Sequence, residues 1–220
     1  MLKKLLLTLL GISGGGALIL FLTLKLVLNQ PVPEAEFGPA AAELAAKIEA
    51  ATKLDAWERT AAIAFRFDRR GNRHFYDQGR GFVEVRLPAS NPEEQLRVQY
   101  NHSNRSQFVA FAGSNRLEGE AADEALTEAI RWHTNDLFWL NPFATLRAPG
   151  AELGLVGERA LLVRFTSGGV TPGDQYLIVT DAIFRPARYL MWGSILPILG
   201  LVFSFEGWKT YESGALLSNI

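Results

Sequence analysis

Residues 83–101, VEVRLPASNPEEQLRVQYN, contain two short runs in which apolar and polar side chains alternate. Each run, 83–87 and 96–101, places every second side chain on the same face of an extended chain, which is the pattern of a half-buried strand. Pro88 and Pro92 lie between the runs, where they favour a turn. The stretch therefore predicts two antiparallel strands, each with one buried face and one solvated face.

The same alternation predicts further strands on both sides of this stretch. A turn sequence, Arg70-Gly71-Asn72, separates the first of them from the pair above. The additional predicted strands are Ile63–Phe67, Phe108–Ala112, one near Leu153, Leu161–Phe165, Tyr176–Thr180, Ala187–Trp192, Leu201–Phe205 and a short piece around Leu216. Short strands at such intervals are typical of an antiparallel meander, and we expect about nine or ten strands in all.

Two stretches have the period of a helix instead. Apolar residues recur three and four positions apart from Ala41 to Ala51, and again from Ala122 to His133 within residues 119–140. The second helix runs into Asn141-Pro142 and would cap the sheet. The predicted fold class is therefore α+β, a curved antiparallel sheet of half-barrel form covered by two or so α-helices.

An uncharged apolar run, LLLTLLGISGGGALILFLTL, occupies residues 5–24 and follows Lys3 and Lys4. A helix of this length spans about 30 Å, the thickness of the hydrocarbon core of a bilayer. Because the lysines precede the run, the positive-inside bias places the N-terminus in the cytoplasm and the rest of the chain in the periplasm or outside the cell. We therefore interpret residues 1–28 as a single-pass signal anchor, or transmembrane helix, in the cell membrane; a cleaved signal peptide is the alternative.

The chain beyond this anchor is mildly acidic. We expect a short tether at residues 29–38 and one exported domain at residues 39–220, which together hold 19 basic and 23 acidic residues, a net charge of −4. The basic residues are scattered, with no run that suits a membrane surface, and the charge balance argues against nucleic-acid binding. The chain contains no cysteine, so neither a disulfide nor an acylated cysteine is available.

The later predicted strands are apolar on both faces. Tyr176 and Ile178 point to one side of their strand, whereas Leu177 points to the other. Either a second layer covers the additional face, or the sheet is curved and its concave side is open to an apolar ligand. Under the second alternative the candidate lining residues are Phe65, Phe67, Tyr176, Tyr189, Trp192, Phe203 and Phe205.

A further apolar segment, ILPILGLVF, occupies residues 195–203. It is too short to cross a bilayer, and Pro197 and Gly200 would interrupt a helix or a central strand. We interpret it as a connection between strands that is either a buried turn, or the lip of a cavity or a membrane contact. The candidate membrane or partner contacts are Ile195, Leu196, Ile198 and Leu199.

The order of these elements resembles the LolA/LolB-like superfamily, a group of exported half-barrels that carry lipoproteins or other lipidic ligands. The features that carry the resemblance are Trp57 after the first helix, Trp139-Leu140-Asn141-Pro142 at the end of the second, the turn Gly168–Asp174 (GGVTPGD), Tyr176, Pro186 and Met191-Trp192. The chain departs from LolB-type receptors in having no cysteine to acylate, and from soluble LolA-type carriers in having a predicted anchor. The resemblance thus implies a lipid-binding or sensing domain that stays at one membrane.

A catalytic or metal site is not expected. The histidines His74, His102 and His133 lie in different predicted elements, and His74 and Asp77 would point to opposite faces of a regular strand. We interpret each histidine as a satisfied core or edge residue, since a zinc site built from all three has no spacing signature. No nucleophile elbow, phosphate-binding loop or dinucleotide-binding turn occurs, so neither an enzyme nor a cofactor is predicted.

Together these patterns predict a membrane-anchored exported domain that binds a lipidic or other apolar ligand in the cell envelope. Burial of aromatic and aliphatic surface would provide the affinity. The alternative is a non-enzymatic scaffold or assembly factor that docks a membrane or envelope protein through residues 195–203 or through an exposed strand edge.

Overall fold

The computed structural model describes residues 29–167, 171, 173–193 and 199–219. The predicted anchor at residues 1–28, and with it the predicted bilayer contact through residues 5–24, lies outside the described residues. Within the described ranges, no helix has the length and hydropathy needed to cross a membrane.

The described part of the chain contains two sets of strands, one before and one after a long helix. The helices are α1 (Pro39–Ala51), α2 (Leu54–Glu58) and α3 (Gly119–Leu140), with 3₁₀ turns at Pro92–Glu94 and Pro142–Thr145. The strands are β1 (Glu36–Phe37), β2 (Ala62–Phe67), β3 (Asn72–Asp77), β4 (Phe82–Leu87), β5 (Leu96–Asn101), β6 (Phe108–Ala112), β7 (Asn115–Arg116), β8 (Ala151–Val156), β9 (Ala160–Phe165), β10 (Gln175–Thr180), β11 (Pro186–Trp192), β12 (Leu201–Ser204), β13 (Glu206–Thr210) and β14 (Leu216–Asn219).

The described strands form two six-stranded antiparallel sheets and one hairpin. Sheet 1 has the order β1-β8-β9-β10-β11-β12, sheet 2 is the meander from β2 to β7, and β13 pairs with β14. The α+β class is confirmed, but the prediction of one curved sheet of about nine or ten strands is wrong. Helix α3 lies between the two sets of strands in sequence. Strand β8, which follows it, pairs with β1 and β9 and with no strand of sheet 2.

Strand β3 was missed by the alternation pattern because its inward positions are polar. Asn72 and His74 are both buried on the inner face of sheet 2, at positions where an apolar residue would have marked a strand. The predicted helices, in contrast, coincide with α1 and α3.

Helix α3 covers the inner face of sheet 2 with small side chains. Ala122, Ala125 and Ala129 are buried along one stripe of the helix at the spacing of successive turns. They pack in one core with the inward side chains of β4, β5 and β6, which include Val83, Val85, Val98 and Ala110. Because alanine has no side chain beyond Cβ, the helix axis can approach the sheet closely.

Helix α1 covers the inner face of sheet 1 in the same manner. It starts with Pro39 in its first turn, a position where proline has no hydrogen bond to lose. Its buried stripe is Ala41, Leu44, Ala45 and Ile48, and this stripe packs against the inward residues of β9, β10 and β11. The inner face of sheet 1 is therefore a covered hydrophobic core.

The outer face of sheet 1 is covered in part by residues 29–37, which we call the N-terminal strap. Glu36 pairs with Leu155 and Phe37 pairs with Gly154, so the strap ends as edge strand β1. Val32 and Ala35 pack against the buried outer side chains of Leu162, Leu177 and Trp192. Residues 29–37 of the predicted tether therefore pack on part of the apolar outer face of sheet 1.

We predict that Gly154→Ala detaches the strap from sheet 1. A Cβ at Gly154 would lie 2.7 Å from Ala35 Cβ, so one of the two backbones has to move. Overpacking of this kind costs about 1–3 kcal/mol. Amide hydrogen exchange should become faster at Glu36 and Phe37, whereas the control Gly79→Ala, where the nearest atom to a new Cβ is 3.6 Å away, should leave it unchanged. Equal exchange in both variants would contradict this packing.

Candidate functional site

Four of the predicted ligand-lining aromatics form the core of sheet 1 instead. The rings of Tyr176 and Tyr189 stack 5.1 Å apart, and Phe205 meets Tyr189 at 5.6 Å. Phe203 contacts Trp139 from the end of α3, with ring centroids 5.5 Å apart. Tyr189 is only 2% exposed. These side chains fill the space that the prediction assigned to a ligand.

The other three predicted lining residues lie on different surfaces. Phe65 and Phe67 belong to sheet 2, where Phe65 stacks on His74 with ring centroids 4.6 Å apart. Trp192 lies on the outer face of sheet 1, beneath the strap. The seven aromatics therefore do not converge on one cavity.

Two open grooves lie along the strap, and none of the seven aromatics lines either of them. The larger groove has a volume of about 520 Å³ and runs between the strap and the outer face of sheet 1. Phe37 and Arg164 line both grooves. The Arg164 guanidinium lies 5.0 Å from the centre of the Phe37 ring and 3.6 Å from the Glu152 carboxylate.

The first described residues of the chain are hydrogen-bonded to the end of the apolar segment. Leu199 N donates to Asn29 Oδ1 at 2.8 Å, and Gln30 N donates to Leu199 O at 3.1 Å. Trp192 Nε1 donates to Gln30 O at 2.6 Å. The residues that directly follow the predicted anchor are thus held to sheet 1.

Gly200 makes this close approach possible. Its φ of 75° is a left-handed conformation that favours glycine, and a Cβ there would lie 2.8 Å from Gln30 Cβ. Any other residue at position 200 would push the strap away from β12. The glycine that interrupts the apolar segment is therefore explained by the contact with the strap.

An apolar surface extends from this contact along the outer edge of sheet 1. Leu190 and Val202 are opposite each other in β11 and β12, and Val202 is 50% exposed. Leu199 beside them is 36% exposed. We call Gln30, Leu190, Leu199 and Val202 the anchor-proximal surface. The other predicted contacts, Ile195, Leu196 and Ile198, lie outside the described residues.

A second cluster, which the sequence analysis missed, is polar and buried between α3 and sheet 2. His74 Nε2 lies 2.9 Å from Asp136 Oδ2, and both side chains are fully buried. Asn72 Nδ2 donates to the same oxygen at 2.8 Å, and Asn135 Nδ2 donates to Asp136 Oδ1 at 2.9 Å. His133 Nδ1 lies 3.4 Å from His74 Nδ1. We call these residues the buried polar cluster.

The charges of the cluster follow from its hydrogen bonds. Burial opposes the charge on Asp136, but hydrogen bonds from His74, Asn72 and Asn135 outweigh it and lower the pKa of this carboxyl. Burial also lowers the pKa of His133 to about 3, with further contributions from the neighbouring histidines. Asp136 is therefore ionised and His133 neutral at neutral pH.

Aromatic rings close the cluster on its remaining sides. Tyr76 and Tyr100 contact the His133 ring edge-on, with centroids 5.6 and 6.3 Å away. Tyr76 also meets His102 at 5.7 Å, so all three histidines lie within one group of rings. Burial raises the pKa of Tyr100 well above its ordinary value, which keeps the phenol neutral.

A carboxylate followed by two imidazoles can relay protons, but the side chains of this cluster are buried. Asp136 and His74 are completely buried, and His133 is 2% exposed. His133 Nε2 has no hydrogen-bond partner among the described residues. Hydrogen bonds from Asn72 and His74 to Asp136 join sheet 2 to α3, and loss of either donor within the fold would leave a buried carboxylate under-paired.

One sequence signal could have revealed this cluster. His133 and Asp136 are three positions apart in α3 and therefore lie on the same face as the buried alanines. An acidic residue on an apolar stripe requires a partner. Asp77, the residue that the sequence analysis considered as a partner for His74, lies beside Arg80. Its carboxylate is 3.8 Å from the Arg80 guanidinium.

Comparisons with known proteins identify no relative for this chain. No model of a protein family matches it, and neither a curated protein nor a solved structure matches it.

We predict that stability falls as the pH is lowered from about 6.5 toward about 3. The pKa of His133 is 6.5 when unperturbed and about 3 in the fold, so the unfolded chain gains a proton in this range before the folded chain does. The free energy of unfolding should fall by on the order of 5 kcal/mol between these two pH values, since each unit of pKa shift corresponds to about 1.4 kcal/mol. Asp136 adds a further loss only below its ordinary value of 3.8.

Urea unfolding of the wild type and of His133→Phe at several pH values measures this dependence. The variant lacks the titrating ring, so its stability should change much less between pH 6.5 and pH 4. An unchanged slope in the variant would show that His133 is not the group responsible.

Proposed function

We propose that this chain is a membrane-anchored exported protein whose domain is held against its own bilayer by the anchor-proximal surface. In this position it acts as a non-enzymatic binding module for components of the cell envelope. The observation that carries the proposal is the pair of hydrogen bonds between Leu199 and the residues Asn29 and Gln30.

The number of residues between the predicted anchor and the first residue bonded to the domain sets the distance between the domain and the membrane. The predicted anchor ends at residue 28, and Asn29 is already bonded to Leu199. One extended residue covers only about 3.5 Å, so an anchor that ends at residue 28 would place its membrane exit close to Leu199. The domain thus has little freedom to move away from the lipid head groups.

The character of the anchor-proximal surface suits a bilayer contact. Leu199 and Val202 expose apolar side chains at the point where the chain would leave the membrane. Their burial among lipid contributes about 25 cal/mol for each Å² removed from water. The predicted apolar ligand is then the surface of the bilayer itself, with Ile195, Leu196 and Ile198 as further proposed contacts.

The lysines before the predicted anchor and the family resemblance both support a role in the cell envelope. Lys3 and Lys4 support a cytoplasmic N-terminus and a domain in the periplasm or outside the cell. The likeness to LolA/LolB-like proteins supports an envelope role by analogy of element order alone, and a fold does not by itself specify a function.

A lipid molecule bound along the strap is a second candidate function, favoured by the larger groove. Val32, Phe37 and Leu162 give this groove an apolar part, and Arg164 places a cation at its side. The acidic Glu34 also lines the groove, and Glu152 lies near Arg164. An acyl chain with an acidic head group would match the apolar part and the cation.

We predict that mass spectrometry of the purified full chain detects a co-purified acidic lipid, and that Arg164→Gln reduces its amount severalfold. Equal amounts in both proteins, or no lipid, would exclude this groove as the site.

Photo-crosslinking tests the contact with the bilayer. A benzoylphenylalanine at position 202 of the full chain in membranes should form adducts with phospholipid. The control position is Ile183, which is 61% exposed in the turn before β11. This turn lies at the opposite end of β11 from Trp192, about 20 Å away, so it should form no lipid adducts.

The outcomes of this experiment separate the proposed roles. Lipid adducts at position 202 and none at position 183 support the bilayer contact. A single protein adduct at position 202 would instead support the scaffold alternative, with this surface as its docking site. Equal lipid labelling at both positions would contradict a fixed orientation.

A further inference from the structure

The solvent-facing side of sheet 2 carries a line of arginines that runs across its strands. Strand register aligns the following side chains from β2 to β7: Arg66, Arg73, Arg86, Arg97, Phe111 and Arg116. Neighbouring strands lie about 4.8 Å apart, so the line is about 24 Å long. We call its five arginines the arginine row. Arg97 is half-buried, and the other four are exposed.

The stability of the fold does not explain the arginine row. Like charges directly opposite each other in neighbouring strands are destabilising, and the row contains three such pairs in succession. Two of the arginines have local anionic partners: Arg66 lies 2.6 Å from Asp68, and Arg86 lies 2.6 Å from Glu84. Both arginine side chains are exposed, and ion pairs at a surface contribute little.

The remaining three arginines form no close ion pair with a described residue. The Arg97 guanidinium lies over the Phe111 ring at 4.3 Å. Its charge also attracts the Glu84 carboxylate on the neighbouring line, although no ion pair forms between them. Arg73 and Arg116 form no ion pair with any described residue. An anionic partner would turn the repulsion along the row into attraction.

The shape of the charged region indicates the shape of that partner. The row is one residue wide, and the next line of side chains is Ala64, Phe75, Glu84, Gln99 and Val109. This neighbouring line has no cation, and it includes the carboxylate of Glu84. A flat anionic surface would be brought against Glu84, whereas a linear chain can follow the arginines alone.

We propose that the arginine row binds a linear acidic polysaccharide. Guanidinium groups form paired hydrogen bonds with carboxylate and phosphate groups, and they stay charged at every physiological pH. Successive acidic groups of an extended polymer can therefore engage successive arginines. The choice of a polysaccharide over a nucleic acid rests on the export that we propose for this domain.

A binding experiment with the full chain in neutral detergent tests this proposal. The probe is fluorescently labelled polygalacturonate, a linear polymer with one carboxylate on each sugar. The row variant is Arg73→Ala with Arg116→Ala, because these two arginines have no ion pair to lose. The charge-matched control is Arg59→Ala with Arg131→Ala. It removes one exposed arginine at the end of α2 and one on α3.

We expect the row variant to bind polygalacturonate at least tenfold more weakly than the wild type, and the control variant within twofold. Salt at about 0.5 M should weaken binding by the wild type, since it shortens the range of charge interactions to a few ångströms. The row variant should melt at the same or a higher temperature because like charges have been removed from opposite strands. If it melts lower, Arg73→Gln with Arg116→Gln replaces it, and the same loss of binding is required.

Three results would overturn the proposal. Equal affinity of the row and control variants would show that the arginines act only through net charge. Binding of single-stranded oligothymidylate but not of polygalacturonate would identify the partner as a nucleic acid, and would also contradict export. Binding only to phosphatidylglycerol vesicles would identify the partner as a membrane surface, while leaving the anchor-proximal contact unaffected.

Discussion

Sheet 1 is apolar on both of its faces, and each face has to be removed from water. Helix α1 and the aromatic residues around Tyr189 cover the inner face, and the N-terminal strap covers much of the outer face. In β12, next to the start of the strap, Val202 remains half exposed. The proposed membrane contact follows from this arrangement, because the uncovered part lies beside the first residues after the predicted anchor.

Sheet 2 is held by a different interaction. Its covering helix α3 is joined to it by small alanine contacts and by the ionised Asp136, which accepts hydrogen bonds from His74 and Asn72. A buried carboxylate without these donors would be strongly destabilising. The same helix ends with Phe138 and Trp139 in the core of sheet 1, so α3 connects the two sheets. The buried polar cluster therefore contributes to the contact between α3 and sheet 2.

Local periodicity predicted most of the individual elements, but not the way in which they combine. Both main helices follow from their apolar stripes. The division into two sheets depends on β8 pairing with β1, a contact between residues more than a hundred positions apart that no local pattern records. Tyr176 and Leu177 correctly indicated that both faces of their strand are apolar, and in the structure each face packs in a separate hydrophobic cluster.

The arginine row, like the strand pairing, could not be predicted from local sequence patterns. Its members are scattered between positions 66 and 116, and the sequence analysis accordingly found no basic patch. Strand register brings them into one line, so the charge pattern exists only in the folded sheet. The buried polar cluster is similar, because His74 and Asp136 are 62 positions apart, although the spacing of His133 and Asp136 on α3 was a usable signal.

The position of Val202 relative to the bilayer tests the central claim most directly. The chain has no cysteine, so Val202→Cys and Ile183→Cys each give a single site for a nitroxide label in the full chain, reconstituted in vesicles. Electron paramagnetic resonance then compares collisions of the label with oxygen, which concentrates in lipid, and with a water-soluble nickel complex. The account predicts a lipid-like ratio at position 202 and an aqueous ratio at position 183. An aqueous ratio at both positions would show that the domain does not rest on the membrane.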